Sequence, residues 1–287
     1  MRPKFGRSRF HCARNALALA FVVVTLAGCT SVDKRLAPTN FRDWTPEQAV
    51  LSTVEFKGDR AVVHNVRNCK YFANDVYMVD YYDKTIDLTK VRGVDYIVVP
   101  FDNMPAIAQC MLSFQIDGPD GQPQHLAVSV ETRKERNETY NPLKGSFNDF
   151  ELIYVVADER DVIQFRTVYN GEHVYLYHTT ASPEASKELL VDVLTRVNQL
   201  AKAPEFYDTL TNNCTSNIVR HVNRIRPNRI SVDYRTLLPG YSDQLAYEDG
   251  LIEHHGTFVE TKEQAYVNPL AERYAGREDF SELIRRR

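Results

Sequence analysis

Two short apolar runs, Met111-Leu112-Ser113-Phe114-Gln115-Ile116 and Leu126-Ala127-Val128-Ser129-Val130-Glu131-Thr132, flank the turn sequence Asp117-Gly118-Pro119-Asp120-Gly121. Runs of that length, ended by a Gly/Pro/Asp cluster, predict two antiparallel strands joined as a hairpin. Strand-like runs recur on either side, at residues 61–66, 96–99, 152–157, 162–167 and 174–177, with Asn170-Gly171 as a further turn. Helix signals then take over. Ser182 is an N-cap with Pro183 at the first helical position, and Leu189, Leu190, Val193, Leu194, Val197 and Leu200 form one apolar stripe that ends before Pro204. A second helix is expected from Cys214 to about Ile225, with Ile218, Val219, Val222 and Ile225 inward and Pro227 stopping it. The tail from about residue 230 reads as loop-rich, with a short helix near 270–277. A mainly antiparallel sheet followed by helices is the α+β class.

The N-terminus reads as an export signal. Arg2, Lys4, Arg7, Arg9 and Arg14 make a basic stretch without an acid, and an apolar run from Ala16 to Ala27 follows, closed by Leu26-Ala27-Gly28-Cys29. That run falls short of the roughly 20 residues a bilayer span needs, so residues 1–28 are a signal peptide. Small residues leading into a cysteine resemble a lipobox, which implies a lipid on Cys29 and a membrane anchor. Thr30, standing where an aspartate would retain a lipoprotein at the inner membrane, resembles the outer-membrane sorting pattern. Residues 29–50, polar with Pro38 and Pro46, read as a tether, and 51–287 as a single domain.

Removing 28 of 287 residues leaves 259, with 30 Lys and Arg against 38 Asp and Glu, a net charge of −8. An acidic chain does not invite nucleic acid. Cys12 leaves with the leader and Cys29 carries the anchor, so Cys69, Cys110 and Cys214 remain. Beyond the inner membrane free thiols are uncommon, and with three cysteines at least one stays unpaired. His254-His255 has no metal-ligand spacing, and the sequence calls for neither a metal nor a cofactor.

Cys214 is the chemical centre of the segment Thr209-Leu210-Thr211-Asn212-Asn213-Cys214-Thr215. Asn212 and Asn213 are good N-cap residues, placing the thiol in a first helical turn. Free backbone N–H groups and the helix dipole there favour thiolate, and the same N–H groups suit an acyl oxyanion. A packed, inert cysteine is the bland alternative. His221, seven residues on, lies about 10 Å along the helix and is too distant to form a dyad.

From about His64 to Ile252 the chain resembles the family of the Lnb N-terminal periplasmic domain, which belongs to a thiol-dependent lipoprotein N-acyltransferase. The resemblance rests on His64-Asn65-Val66-Arg67-Asn68, Met111-Leu112-Ser113-Phe114, Val128 through Glu135, Tyr154 through Asp161, Val174-Tyr175-Leu176-Tyr177 and Asn213-Cys214-Thr215. It implies a permuted fold similar to NlpC-type and papain-like thiol enzymes, with Cys214 as nucleophile. It also implies phospholipid or lipoprotein substrates. The family pattern has a histidine where Gln109 stands, and glutamine cannot take a proton from a thiol. Three alternatives follow: His125 on the partner strand replaces the imidazole, thiolate character at the helix start suffices alone, or activity is lost and the fold kept. Cys69 and Cys110 also depart from the family pattern, and a disulfide between them would leave Cys214 as the one free thiol. Glu131 shares a strand face with Ser129 and Arg133. Such a face is usually solvated, but in a cleft Glu131 would orient a base or a substrate amine. The expectations are therefore a membrane-tethered thiol acyltransferase or acyl hydrolase, a non-catalytic module binding lipid, lipoprotein or peptidoglycan, or a cell-wall peptidase of NlpC type.

Overall fold

The computed structural model describes residues 37–138 and 149–286. The expected leader and Cys29 lie outside the described residues. The strands are β1 (Thr53–Lys57), β2 (Arg60–Arg67), β3 (Lys70–Tyr71), β4 (Tyr77–Met78), β5 (Tyr81–Asp87), β6 (Val91–Phe101), β7 (Met104–Asp117), β8 (Pro123–Arg133), β9 (Glu151–Asp158) and β10 (Tyr175–His178). The helices are α1 (Glu159–Gln164), α2 (Pro183–Lys202), α3 (Cys214–Ile225), α4 (Tyr234–Leu237), α5 (Ser242–Glu248), α6 (Phe258–Ala265), α7 (Asn268–Arg273) and α8 (Phe280–Leu283).

An eight-stranded sheet runs β1-β2-β9-β8-β7-β6-β10, and β5 also pairs with β2. Its pairings are antiparallel except for the β2–β9 contact at Arg67 and Ala157. The class is α+β. The central hairpin forms where the 117–121 turn predicts it, with Asp117 opposite Pro123 and Met111 opposite Ser129. Gly121 takes φ 77°, a conformation that only glycine adopts cheaply.

Side-chain alternation sorts the sheet into two cores. Even-numbered positions of β7 and β8, among them Cys110, Leu112, Leu126 and Val128, pack under α2 and α3 with Leu190, Leu194 and Ile218. Each fully buried aliphatic side chain of that stripe contributes about 1.5–3 kcal/mol. Odd-numbered positions, including Met111 and Ala127, face Val162 and Ile163 of α1, Ala271 of α7 and Phe280 of α8. Helices thus cover both faces. Among the described residues no helix is long and apolar enough to cross a membrane.

Three expectations need correction. Residues 162–167 are helical, in α1 and the π-type turn Phe165–Tyr169, because Asp158 caps the Arg160 N–H at 3.0 Å and Val162 and Ile163 bury together against the sheet. The tail after 230 is a chain of short helices, each held by the surface it packs on. Part of the expected tether, from residue 37, is docked: Trp44 is buried, Asn40 donates to the Leu200 and Ala201 carbonyls, and the Arg133 guanidinium lies 4.2 Å from the Trp44 ring centre. That stacking also explains why Arg133 is buried and not solvated.

Candidate functional site

Asn213 starts α3 with a full capping box. Its side chain accepts the Ser216 N–H at 2.7 Å, the Ser216 hydroxyl accepts the Asn213 N–H at 2.9 Å, and its own amide donates to Thr209 O at 2.7 Å. Cys214 is therefore the first residue of the helix, as its sequence context predicts, and it is buried.

The Cys214 sulfur meets β7. It donates to the Ala108 carbonyl at 3.4 Å. Cys110 in turn gathers hydroxyls: Tyr96 Oη at 3.1 Å, Thr215 Oγ1 at 3.4 Å and Ser242 Oγ at 3.6 Å. Tyr96 and Ser242 are themselves 2.7 Å apart. Burial pushes the Cys110 thiol up, but interactions with Cys214, Thr215, Tyr96 and Ser242 outweigh it and bring it down to about 7, while the Ser242 proton itself goes to the Pro239 carbonyl at 2.5 Å. The Cys214 thiol is raised, first by its interaction with Cys110 and then by burial. The two thiols therefore titrate together and not as independent groups.

Two cavities lie close by, lined by neighbours of the cysteines but by neither sulfur. One, about 410 Å³ and largely apolar, is lined by Tyr96, Leu112, Leu189, Thr215, Ile218 and Ser242. The other, about 620 Å³ and half polar, is lined by Arg67, Tyr71, Ala108, Gln109, Glu131 and Arg166.

The structure does not bring the other expected residues to the thiol. His125 pairs with Gln115, five residues from Cys110 along β7, or roughly 17 Å at 3.4 Å per residue. It also faces the opposite core, alongside Ala127. Its ring nitrogens lack hydrogen-bond partners, its Nδ1 lies 3.5 Å from Glu282, and burial lowers it to about 4. His125 is therefore not a base for Cys214. Gln109 is tied to β8 through the Ser129 hydroxyl at 2.9 Å and the Val130 carbonyl at 2.7 Å. Glu131 reaches Gln48 at 3.1 Å and Arg166 at 3.4 Å and orients no imidazole. Burial pushes it up, yet Arg166 and Arg67 hold it below the usual carboxylate range.

Cys69 and Cys110 are free, which corrects the expected disulfide. Cys69 belongs to a separate cluster around Asp161, where burial pushes its thiol up to about 11. His221 bonds Tyr154 at 2.8 Å and Asp192 at 2.6 Å, away from the thiols. Sequence reasoning missed Tyr96, Thr215 and Ser242. Thr215 adjoins Cys214 and was within reach of it; Ser242, 132 residues from Cys110, carries no local signal.

The turn Pro239–Tyr241 delivers Ser242. A Cβ on Gly240 would lie 1.8 Å from the Pro105 carbonyl oxygen. Gly240→Ala is expected to lower stability by about 1–3 kcal/mol. It should also shift Ser242 from Cys110. Urea unfolding checks the first effect and thiol titration the second.

No curated protein and no solved structure matches the chain. The Lnb N-terminal periplasmic domain family matches residues 77–240, a span holding Tyr96, Gln109, Cys110, Glu131 and Cys214. The chain belongs to the Lnb N-terminal periplasmic domain family.

Proposed function

We propose that this periplasmic domain transfers or hydrolyses acyl groups of a lipid or lipoprotein through a thioester on Cys214, and that a lipid on Cys29 anchors it, to the outer membrane in preference to the inner. The observation that supports the chemistry is Cys214 at the capped start of α3, between Thr215, which lines the apolar cavity, and Ala108, which lines the half-polar one. An acyl chain fits the apolar side, and the half-polar side suits a headgroup or an acceptor amine. Backbone N–H groups at the start of α3 suit an oxyanion. Incubation with a p-nitrophenyl acyl ester tests this reading. The wild-type mass is expected to rise by one acyl group removable by hydroxylamine, and Cys214→Ala is expected to abolish that adduct. Retention of the adduct in Cys214→Ala would sink the reading.

A second reading, a binding module without catalysis, draws support from Gln109, which is held by β8 and offers no proton acceptor. It expects phospholipid binding that is equal in wild type and Cys214→Ala, with no adduct in either.

A further inference from the structure

We propose that the apolar cavity holds one long-chain fatty acid anion, with its carboxylate at Arg226 and Arg229 and its tail pointing toward the start of α3. The cavity runs along that helix. Thr215 lies at one end, Ile218, Val219 and Val222 follow along the wall, and Arg226 and Arg229 stand at the other end. Leu189 of α2, Leu245 of α5 and Leu112 of β7 close the remaining sides. The volume is about 410 Å³. At roughly 30 Å³ per methylene, the share of one liquid water, a single chain of about fourteen carbons fills it.

Charge sets the direction of that chain. Both arginines are exposed at the outer end. Arg226 spends Nη1 on Glu188 and the Ile225 carbonyl. Arg229 donates through Nη2 to the Asp249 and Gly250 carbonyls and pairs with no carboxylate among the described residues. Its guanidinium edge suits a carboxylate, which takes two parallel N–H bonds. The inner end, formed by Thr215, Tyr96 and Ser242, carries no cation, and its hydroxyl protons are in use. Thr215 donates to Cys110, Tyr96 to Ser242 at 2.7 Å and Ser242 to the Pro239 carbonyl at 2.5 Å. An anion is therefore held at the outer end and a methyl group at the inner one. Cys214 and Arg226 are about 18 Å apart along the helix at 1.5 Å per residue, and a free carboxylate has no leaving group. This lipid is held and not cleaved. It fills the space that an acyl donor's chain would take; that competition alone rests on the acyl-transfer reading, and the binding site does not.

The test uses the full chain in phosphatidylcholine vesicles and a myristate carrying a photoreactive diazirine at its tail. Saturable labelling is expected on the peptides holding Leu112, Thr215 or Ser242, equally in wild type and Cys214→Ala. At equal free concentration, unlabelled fatty acids should compete about 4-fold better with each added methylene, up to about fourteen carbons and no further. Arg229→Met should weaken myristate about 3-fold and shrink its advantage over myristyl alcohol. Ala185 lines the cavity from α2 and is only half-buried, so Ala185→Leu should fill the cavity and abolish labelling. Should Ala185→Leu unfold, the exposed Arg229→Met carries the test. Tail labelling beside Arg226 and Arg229, no saturable labelling, or wild-type myristate competition in Arg229→Met would overturn the proposal. Stronger competition by lysophosphatidylglycerol than by myristate would overturn the choice of a free carboxylate. If labelling follows the expected pattern while Cys214 forms no acyl adduct, the acyl reading fails and the fatty acid site stands.

Discussion

Arg285→Met is expected to destabilise the domain by about 3–5 kcal/mol at neutral pH, the usual cost of stripping one partner from a buried ion network. Arg285 reaches Asp95 at 2.6 Å and 2.9 Å, and it also binds both oxygens of Glu159. Glu159 is fully buried and takes a further bond from the Ser113 hydroxyl at 2.6 Å. Asp95 retains His178 at 2.7 Å, so Glu159 is the carboxylate that the variant strands. Burial pushes Glu159 up, but Arg285 and the neighbouring hydrogen bonds hold it at about 2. A folded pKa below the unfolded one contributes stability above about pH 4.5 and loses it as pH falls toward 2. Without Arg285 burial dominates, Glu159 rises above its unfolded value, and acid protonates the stranded group. The gap between wild type and variant should therefore narrow from pH 7 to pH 3. Urea unfolding at both values measures it, and an unchanged gap would show that the lost interaction is not ionic.

Arg285 also marks where the sequence stops being legible. The turn at 117–121, the Ser182-Pro183 start and the Asn213 cap are local devices, and each predicts its element because every group involved lies within a few residues. β1 was missed because it is largely exposed and only five residues long, with two apolar positions, and β5 because it lacks apolar alternation. The run 162–167 misled because its β-branched residues suit a strand, while Asp158, four residues before it, caps a helix. The tail helices span four to eight residues, too short to hold without tertiary support. At the site, the capping pattern placed Cys214 at a helix start. Alternation along β7 puts Cys110 on the face opposite Gln109. Neither pattern reveals which face of β7 that helix approaches, and this contact makes Cys110 the neighbour of Cys214.

Asp161→Ala is the other large expected loss, again about 3–5 kcal/mol, and it reaches the half-polar cavity. Asp161 accepts Arg67 Nε at 3.1 Å and Nη2 at 2.9 Å, the Cys69 N–H at 2.6 Å and the Tyr71 hydroxyl at 3.3 Å. One carboxylate of α1 thus pins the end of β2, the backbone beyond it and β3. Arg67 and Tyr71 also line the cavity beside Gln109. Removing the carboxylate leaves the buried Arg67 charge unpaired and two further donors unsatisfied. Arg67→Met in the same chain removes the charge, so the double variant should be more stable than Asp161→Ala alone. It should not regain wild-type stability, since the Cys69 N–H and the Tyr71 hydroxyl still lack their acceptor, each costing about 1–3 kcal/mol. A double-mutant cycle by urea unfolding separates these contributions. A double variant as weak as Asp161→Ala would mean that the backbone and hydroxyl bonds, not the ion pair, hold this corner. A wild-type acylation profile in a folded double variant would mean that Cys214 works independently of the cavity wall that Asp161 supports.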